Sequence, residues 1–238
     1  MNKALIVAPS WIGDTIMAQP LFARLCARHP GLQLDALAPR WVAPVLQRMA
    51  EIHEVIDSPF GHGQLSIKAR WRLGRDLAAR GYGAVYVLPN SLKSALVPWL
   101  AGIPQRVGFT GESRYGLINV RHDLDKQALP LMVERFVQLA ETPGTPPAKP
   151  IAQPRIRSSQ ADQQRTLAEL GLSKPQRIVA FCPGAEYGPA KRWPAAHFAA
   201  LARQLAEQGC AIWLFGSPKD HAVAEEISQL APGLCRNL

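Results

Sequence analysis

Short apolar, β-branched runs alternate along this chain with longer stretches of helical period. That alternation restricts it to folds built on a parallel sheet. Residues 3–8, 32–37, 52–56 and 84–88 read as strands, and residues 15–28, 43–49, 67–80 and 91–101 between them carry the helical pattern. A parallel crossover consumes a helix's length of chain and lays that helix on a sheet face, so the strands are buried on both sides and lose strict alternation. Pro20 lies inside the first helical pattern. Lacking an N–H, it must sit in the first turn of its helix or mark a kink.

The rhythm breaks at residues 141–160, where Pro143, Pro146, Pro147, Pro150 and Pro154 fall in a polar stretch with no hydrophobic period. This reads as a linker over 143–160 between a first lobe, 1–142, and a second, 161–238. In the second lobe, 178–182 and 211–215 read as strands. Residues 193–208, with Phe198, Leu201, Ala202 and Leu205 on one face, and 222–230 read as helices. The chain stops at Cys235-Arg236-Asn237-Leu238 without a closing element. A sheet of about two strands cannot bury both of its helix-facing sides. The expectation is therefore an α/β protein of two parallel-sheet lobes with the second incomplete, exposed apolar surface on that lobe, and a ligand cleft between lobes at the carboxyl ends of the strands.

Composition narrows the setting. Of 238 residues, 47% are hydrophobic and 19% charged, a soluble globular balance. No apolar run approaches the ~18 residues that would span a bilayer, and the apolar run after Lys3 is too short for a secretory signal. The location implied is cytoplasmic. Cys26, Cys182, Cys210 and Cys235 form no CxxC pair and have no histidine at metal-ligand spacing, which disfavours zinc or a disulfide framework. Cys182 and Cys210 lie in strand-like runs and read as small buried hydrophobes. The net charge of +9 favours anionic partners: phosphorylated substrates, an anionic membrane surface or nucleic acid. Nucleic acid is set aside, because the aromatic residues fall in core positions instead of interleaving with cations on one face.

Candidate chemistry clusters after the strands. The first is followed by Pro9-Ser10-Trp11-Ile12-Gly13-Asp14, which is not a GxGxxG dinucleotide fingerprint. Asp14 either caps the helix or serves as a general base at the cleft mouth. Residues Phe181-Cys182-Pro183-Gly184-Ala185-Glu186-Tyr187-Gly188-Pro189-Ala190-Lys191-Arg192-Trp193-Pro194 run from a strand through a glycine- and proline-rich loop to two cations and a helix start. Backbone amides in such a loop can cradle phosphate, and Lys191 and Arg192 can add charge to a diphosphate. Two cations at a helix N-terminus oppose the macrodipole unless an anion lies between. The layout recurs at Phe215-Gly216-Ser217-Pro218-Lys219-Asp220-His221. There Ser217 and Asp220 either meet a ribose or cap the helix. In the first lobe Lys68, Arg70, Arg72, Arg75 and Arg80 oppose only Asp76. They form either a solvated helix face or a surface for a phosphorylated or membrane-embedded glycolipid. Asn90, Ser91 and Lys93 follow a strand and either bind a ligand or cap a helix; His62 sits alone between two glycines.

Together these runs, with Leu88-Pro89-Asn90-Ser91-Leu92-Lys93-Ser94-Ala95-Leu96-Val97-Pro98 and Pro130-Leu131-Met132-Val133-Glu134-Arg135, resemble the ADP-heptose:lipopolysaccharide heptosyltransferases of glycosyltransferase family 9, its type II branch in particular. The resemblance implies a GT-B fold of two Rossmann-like lobes. It implies inverting transfer of L-glycero-D-manno-heptose from ADP-heptose to the first inner-core heptose of heptosyl-Kdo2-lipid A, at the inner face of the inner membrane. Asp14 matches the family's base and Lys191 the lysine that neutralises the leaving diphosphate, so no metal or other cofactor is expected. Donor contacts are expected from Gly184, Ala185, Glu186, Tyr187, Lys191, Arg192, Ser217 and Asp220. Acceptor contacts are expected from Trp11, Gly13, Lys68, Arg72, Asn90, Ser91 and Lys93. Family members continue past the equivalent of Leu238 into a further nucleotide-contacting segment, so this chain reads as C-terminally truncated, with weak or absent activity. The alternatives are another sugar-nucleotide transferase of the same fold and an inactive binding remnant.

Overall fold

A computed structural model describes residues 1–60, 65–185 and 188–238. The chain divides into two units, Met1–Ser158 and Ser159–Leu238.

In the first unit six parallel strands form one sheet: β1 (Lys3–Val7), β2 (Gln33–Ala38), β3 (Ile52–Asp57), β4 (Ala84–Val87), β5 (Gln105–Phe109) and β6 (Val120–His122), in the order β3-β2-β1-β4-β5-β6. The order reverses beside β1, the switch point at which doubly wound sheets open a crevice at the carboxyl ends of their strands. Side chains on β1 alternate between two cores. Ala4 and Ile6 face α1 (Ile12–Arg28) and α5 (Met132–Gln138), packing with Leu21, Phe22, Leu25 and Phe136. Leu5 and Val7 face α3 (Ile67–Ala78) and α4 (Leu92–Leu100), packing with Leu77, Ala95 and Val97. The short α2 (Ala43–Leu46) buries Leu46. Gly74 lets α3 approach α4: a Cβ there would lie 2.7 Å from the Leu100 Cβ.

Pro20 does not sit in the first turn. It is the ninth residue of a continuous seventeen-residue α1, fully inside the helix and buried, where packing of the face that carries Ala18, Leu21, Phe22 and Leu25 outweighs one missing hydrogen bond. The proline-rich stretch lies along the first unit: Lys149 pairs with Glu134 at 2.8 Å, the Arg155 amide donates to Gln19 Oε1, and the Arg157 amide donates to the Arg48 carbonyl.

The second unit begins with α6 (Gln160–Glu169), which buries none of its residues. Its sheet holds three parallel strands, β7 (Ile178–Phe181), β8 (Ala211–Leu214) and β9 (Cys235–Asn237), where the sequence pattern implied about two. The terminal residues read as an open end are thus largely a strand. Against the sheet, α7 (Ala195–Glu207) and α8 (His221–Leu230) bury Ala199, Ala202, Ala224 and Ile227 around Ile212 and Leu214. Leu170, Ile178, Phe215 and Leu230 are exposed. Cys182 is exposed, contrary to the expected burial, because β7 ends at Phe181 and the next residue already belongs to the loop; Cys210 is buried as expected. Among the described residues no helix is long and apolar enough to cross a membrane.

Candidate functional site

At the carboxyl ends of β1, β4 and β5 the first unit opens a cavity of about 850 Å³. Its wall brings together Trp11, Asp14, Asn90, Ser91 and Lys93, drawn from two loops far apart in sequence, with Glu112, Lys126 and Arg135. Gly13 lies one residue from this wall, and a Cβ added to it would meet open space. Lys68 and Arg72 are exposed on α3 and are not part of the wall.

Asp14 is the third residue of α1, and Trp11 is its N-cap. Its carboxylate accepts no hydrogen bond from any described residue, so it is not the cap. Partial burial pushes its pKa above the ordinary carboxylate value. Desolvation disfavours the charged form, which makes this carboxylate a better proton acceptor than a surface aspartate. Lys93 and Lys126 have no ion-pair partner among the described residues. The Arg135 guanidinium is fixed by donating to the carbonyls of Leu129 (2.8 Å) and Pro130 (3.1 Å). The cavity wall therefore carries three cations and two carboxylates, Glu112 bound to the Leu92 amide and Asp14 partly desolvated, an environment suited to a polyhydroxylated ligand carrying negative charge.

Neither Asn90 nor Ser91 caps α4 through its side chain. Glu112 reaches across from the loop after β5 and accepts the Leu92 amide at 3.0 Å. Asn90 is instead oriented by Arg114, whose buried guanidinium donates to Asn90 Oδ1 at 3.1 Å, the Pro89 carbonyl at 2.7 Å and the Phe109 carbonyl at 2.6 Å. With its oxygen held, the Asn90 amide is left to donate elsewhere. Sequence reasoning missed Arg114, Glu112, Lys126 and Arg135. The loop at 111–116 offered one sign, a glycine-flanked polar run, and it contains left-handed backbone at Glu112 and Ser113. Lys126 offered none.

On α3 the basic residues separate by partner. Arg70 is buried, donating to the carbonyls of Leu65 and Lys93 with its guanidinium 4.0 Å from the Phe60 ring centroid. Arg80 pairs with Glu54 at 2.6 Å. Lys68, Trp71, Arg72 and Arg75 remain exposed together with Ile67.

In the second unit Gly184 and Ala185 lie in the loop after β7, and Lys191 ends a 3-10 turn over Pro189–Lys191. Both Lys191 and Arg192 are exposed, with Arg192 donating to the Ala185 carbonyl at 3.1 Å. Glu186, Tyr187 and His62 lie outside the described residues. Ser217 and Asp220 form a capping box: Asp220 accepts the Ser217 amide at 2.9 Å and its hydroxyl at 2.7 Å. These bonds, the amide first, hold the Asp220 carboxyl below its ordinary value, with Arg192 and Lys219 contributing. The Asp220 carboxylate lies directly over Gly184, where a Cβ would fall 2.1 Å from Oδ1. The two glycine loops of this unit therefore meet through Asp220.

Among the described residues Asp35, His53 and Glu54 could together hold a metal ion. The buried Asp35 carboxylate already accepts from Tyr82 at 2.6 Å and meets Lys3 at 3.5 Å and His53 at 3.0 Å, while Glu54 is held by Arg80. The cluster lines none of the cavity described above.

Comparison with known proteins fits this layout. The family model for glycosyltransferase family 9 (heptosyltransferase) matches residues 70–238. Lipopolysaccharide heptosyltransferase 2 of Escherichia coli (strain K12) is 46% identical over 245 residues, covering 99% of this chain and 70% of that protein. Lipooligosaccharide heptosyltransferase 2 of Haemophilus influenzae is 45% identical over 237 residues, covering 96% and 67%. The solved E. coli ADP-heptose lps heptosyltransferase II superposes with a TM-score of 0.90 at 44% identity, over 99% of this chain and 72% of that one. E. coli heptosyltransferase WaaC, solved with ADP-2-deoxy-2-fluoro heptose, gives 0.71 at 25% identity, over 99% and 76%. With parallel α/β sheets of the GT-B type and a family match over most of its length, the chain belongs to glycosyltransferase family 9, the heptosyltransferases.

Proposed function

We propose that this protein is an inverting heptosyltransferase. It moves L-glycero-D-manno-heptose from ADP-heptose to the first inner-core heptose of heptosyl-Kdo2-lipid A. The observation that carries the reading is Asp14, a partly buried carboxylate with no hydrogen-bond partner among the described residues, in the wall of a cavity that also holds Lys93, Lys126 and Arg135. In this reading Asp14 takes the proton from the attacking acceptor hydroxyl as the glycosidic bond forms. Asn90, fixed by Arg114, and Ser91 orient the acceptor, and the cations meet its anionic groups. The acceptor sites named from the sequence divide accordingly: Trp11, Gly13, Asn90, Ser91 and Lys93 belong with this cavity, and Lys68 and Arg72 with the membrane face below.

The donor is assigned to the second unit, 159–238, and the acceptor to the first. Gly184 and Ala185, Lys191 and Arg192, and the first amides of α7 hold the diphosphate, and Glu186 and Tyr187 are assigned with them. Ser217 and Asp220 brace that loop through Gly184 and lie beside the nucleotide. Lys191 balances the charge that develops on the departing ADP, so the chemistry rests on positioning and electrostatics and needs no metal.

The exposed face of α3, with Ile67 and Trp71 among Lys68, Arg72 and Arg75, is assigned to the anionic inner face of the inner membrane, where the glycolipid acceptor resides. Reversing charge in Lys68→Glu with Arg72→Glu is expected to abolish co-sedimentation with phosphatidylglycerol vesicles and leave neutral vesicles unaffected.

The decisive assay follows ADP release from ADP-heptose with heptosyl-Kdo2-lipid A, for the wild type and Asp14→Ala. Release that disappears in Asp14→Ala supports the assignment. Turnover of a UDP- or GDP-sugar in place of ADP-heptose would overturn the donor, and undiminished release from Asp14→Ala would overturn the base.

A further inference from the structure

The buried stripe of α3 is Arg70, Gly74 and Leu77, at helical spacing. Packing accounts for two of them: Gly74 lets α4 approach, and Leu77 joins the core beneath. Arg70 needs another reason. It is 5% exposed, and burial pushes its pKa below the ordinary arginine value, a desolvation cost that a methionine of similar volume would avoid. What the guanidinium adds is direction. It donates to the Leu65 carbonyl at 2.6 Å, in the turn that opens α3, and to the Lys93 carbonyl at 2.9 Å, in the first turn of α4. Its central carbon lies 4.0 Å from the centroid of the Phe60 ring, in the segment after β3. One side chain therefore joins the start of α3 to the start of α4. The joint is strained, because Ser66, between Leu65 and α3, has a φ of 41°. A residue with a Cβ holds that left-handed conformation only where its surroundings impose it, and such strain gathers at ligand clamps and switch regions.

The two ends of this joint serve different surfaces. Outward, α3 presents Ile67, Lys68, Trp71, Arg72 and Arg75, with the Arg75 guanidinium 5.0 Å from the Trp71 ring centroid. Three cations around an indole and an isoleucine suit an anionic lipid surface. Inward, Lys93 stands in the wall of the larger cavity. We propose that Arg70 is a positioning residue that couples the two: docking of α3 on an anionic bilayer orders the joint, and Arg70 carries that order to the first turn of α4 and to Lys93. This rests on the reading of the α3 face as membrane-directed. A bilayer that binds α3 better when its first turn is ordered must, by linkage, favour the ordered joint, and the cavity is then set at the surface where a lipid-linked acceptor is met.

The test is hydrogen exchange of the full chain at the amides of residues 92–97, without lipid, with phosphatidylcholine vesicles and with phosphatidylglycerol vesicles, beside co-sedimentation with each. Phosphatidylglycerol is expected to slow exchange there about fivefold or more in the wild type, and phosphatidylcholine to leave it unchanged. Arg70→Met should co-sediment as the wild type does and show no slowing. Arg70→Lys, which keeps the charge and loses the planar fork, should lose most of the response as well, and it carries the test if Arg70→Met does not fold. Lys68→Glu with Arg72→Glu, both on the surface, should exchange like the lipid-free wild type whether or not vesicles are present. Slowing of equal size in the Arg70 variants, or none in a wild type that co-sediments, overturns the coupling and leaves the membrane face standing. A wild type that does not co-sediment overturns the membrane face and the coupling with it.

Discussion

Arg114 is the residue whose replacement tests the architecture of the site most sharply. It is 2% exposed, and its guanidinium bonds the carbonyls of Pro89 and Phe109 and the side chain of Asn90. It therefore ties the carboxyl ends of β4 and β5 together on the side where the cavity opens. Arg114→Met keeps most of the volume and removes every donor. Two carbonyls and an amide oxygen then lose charge-assisted partners, each worth about 1.5–3 kcal/mol before the guanidinium's own desolvation is subtracted. That desolvation is real, because burial holds the Arg114 pKa below its ordinary value. Leaving three neutral buried acceptors without a donor costs about 1–3 kcal/mol each, which after that offset comes to roughly 3–5 kcal/mol net. Against a denaturant slope of ~2 kcal/mol per molar urea, the unfolding transition of the first unit should move down by roughly 1.5–2.5 M. Arg114→Lys keeps the charge but reaches fewer acceptors, and should recover about half of the loss. Hydrogen exchange at the β4 and β5 amides should rise in step with the urea shift. A midpoint change under about 0.5 M in Arg114→Met would refute the argument that this guanidinium holds the two strand ends.

Three further outcomes are expected. Gly184→Ala would place a Cβ 2.1 Å from Asp220 Oδ1 and displace the capping box; ADP affinity by calorimetry should fall at least roughly tenfold while the circular dichroism spectrum is kept. His122 is buried with neither ring nitrogen partnered among the described residues, and burial pushes its pKa below the ordinary 6.5. The unfolded chain then binds the proton more readily, so stability should fall as pH drops below about 6.5, and His122→Leu should flatten that slope in a thermal-melt series. Asp14 has the opposite sign for a carboxylate, since its folded pKa is raised above the ordinary 3.8. The stability it contributes is present below that value and lost as pH rises, so Asp14→Asn should melt no lower than the wild type at neutral pH while ADP release disappears.

The first four strands were legible because β1, β2 and β4 are largely apolar and buried and β3 carries Ile52, Val55 and Ile56 among polar residues, and structure and pattern agree there to within a residue or two. What escaped was short or weakly patterned. The β5 sequence, Gln105–Phe109, opens with two polar residues and carries Gly108, and β6 is a three-residue edge strand whose buried residue is a histidine. Helix α5 spans only seven residues, and α6 buries none of its side chains, so neither shows an apolar stripe long enough to read. The cavity residues divide in the same way. Asp14, Asn90 and Lys93 follow strands and could be placed by topology. Arg114 and Glu112 act from a loop whose backbone is left-handed at Glu112 and Ser113, a geometry that non-glycine residues do not announce.

The two aspartates at helix starts show why local pattern alone could not assign the chemistry. Asp14 and Asp220 each follow a strand and a glycine-containing turn, and capping explains either one equally well. In the structure only Asp220 caps. It accepts two bonds from Ser217, its pKa is held low, and its carboxylate fills the space over Gly184. A carboxylate so engaged has a fixed rotamer and a weakened appetite for protons, which suits a brace. Asp14 has the reverse conditions. Trp11 occupies the cap position, no described donor reaches the carboxylate, and burial raises its pKa despite the helix dipole, which favours the charged form. A protein that needed only a helix cap at this point would have placed the carboxylate where Trp11 stands. Leaving it three positions later, desolvated in the wall of a cavity that also holds Lys93, Lys126 and Arg135, is unfavourable for stability, the condition expected of a carboxylate kept to take a proton from a ligand.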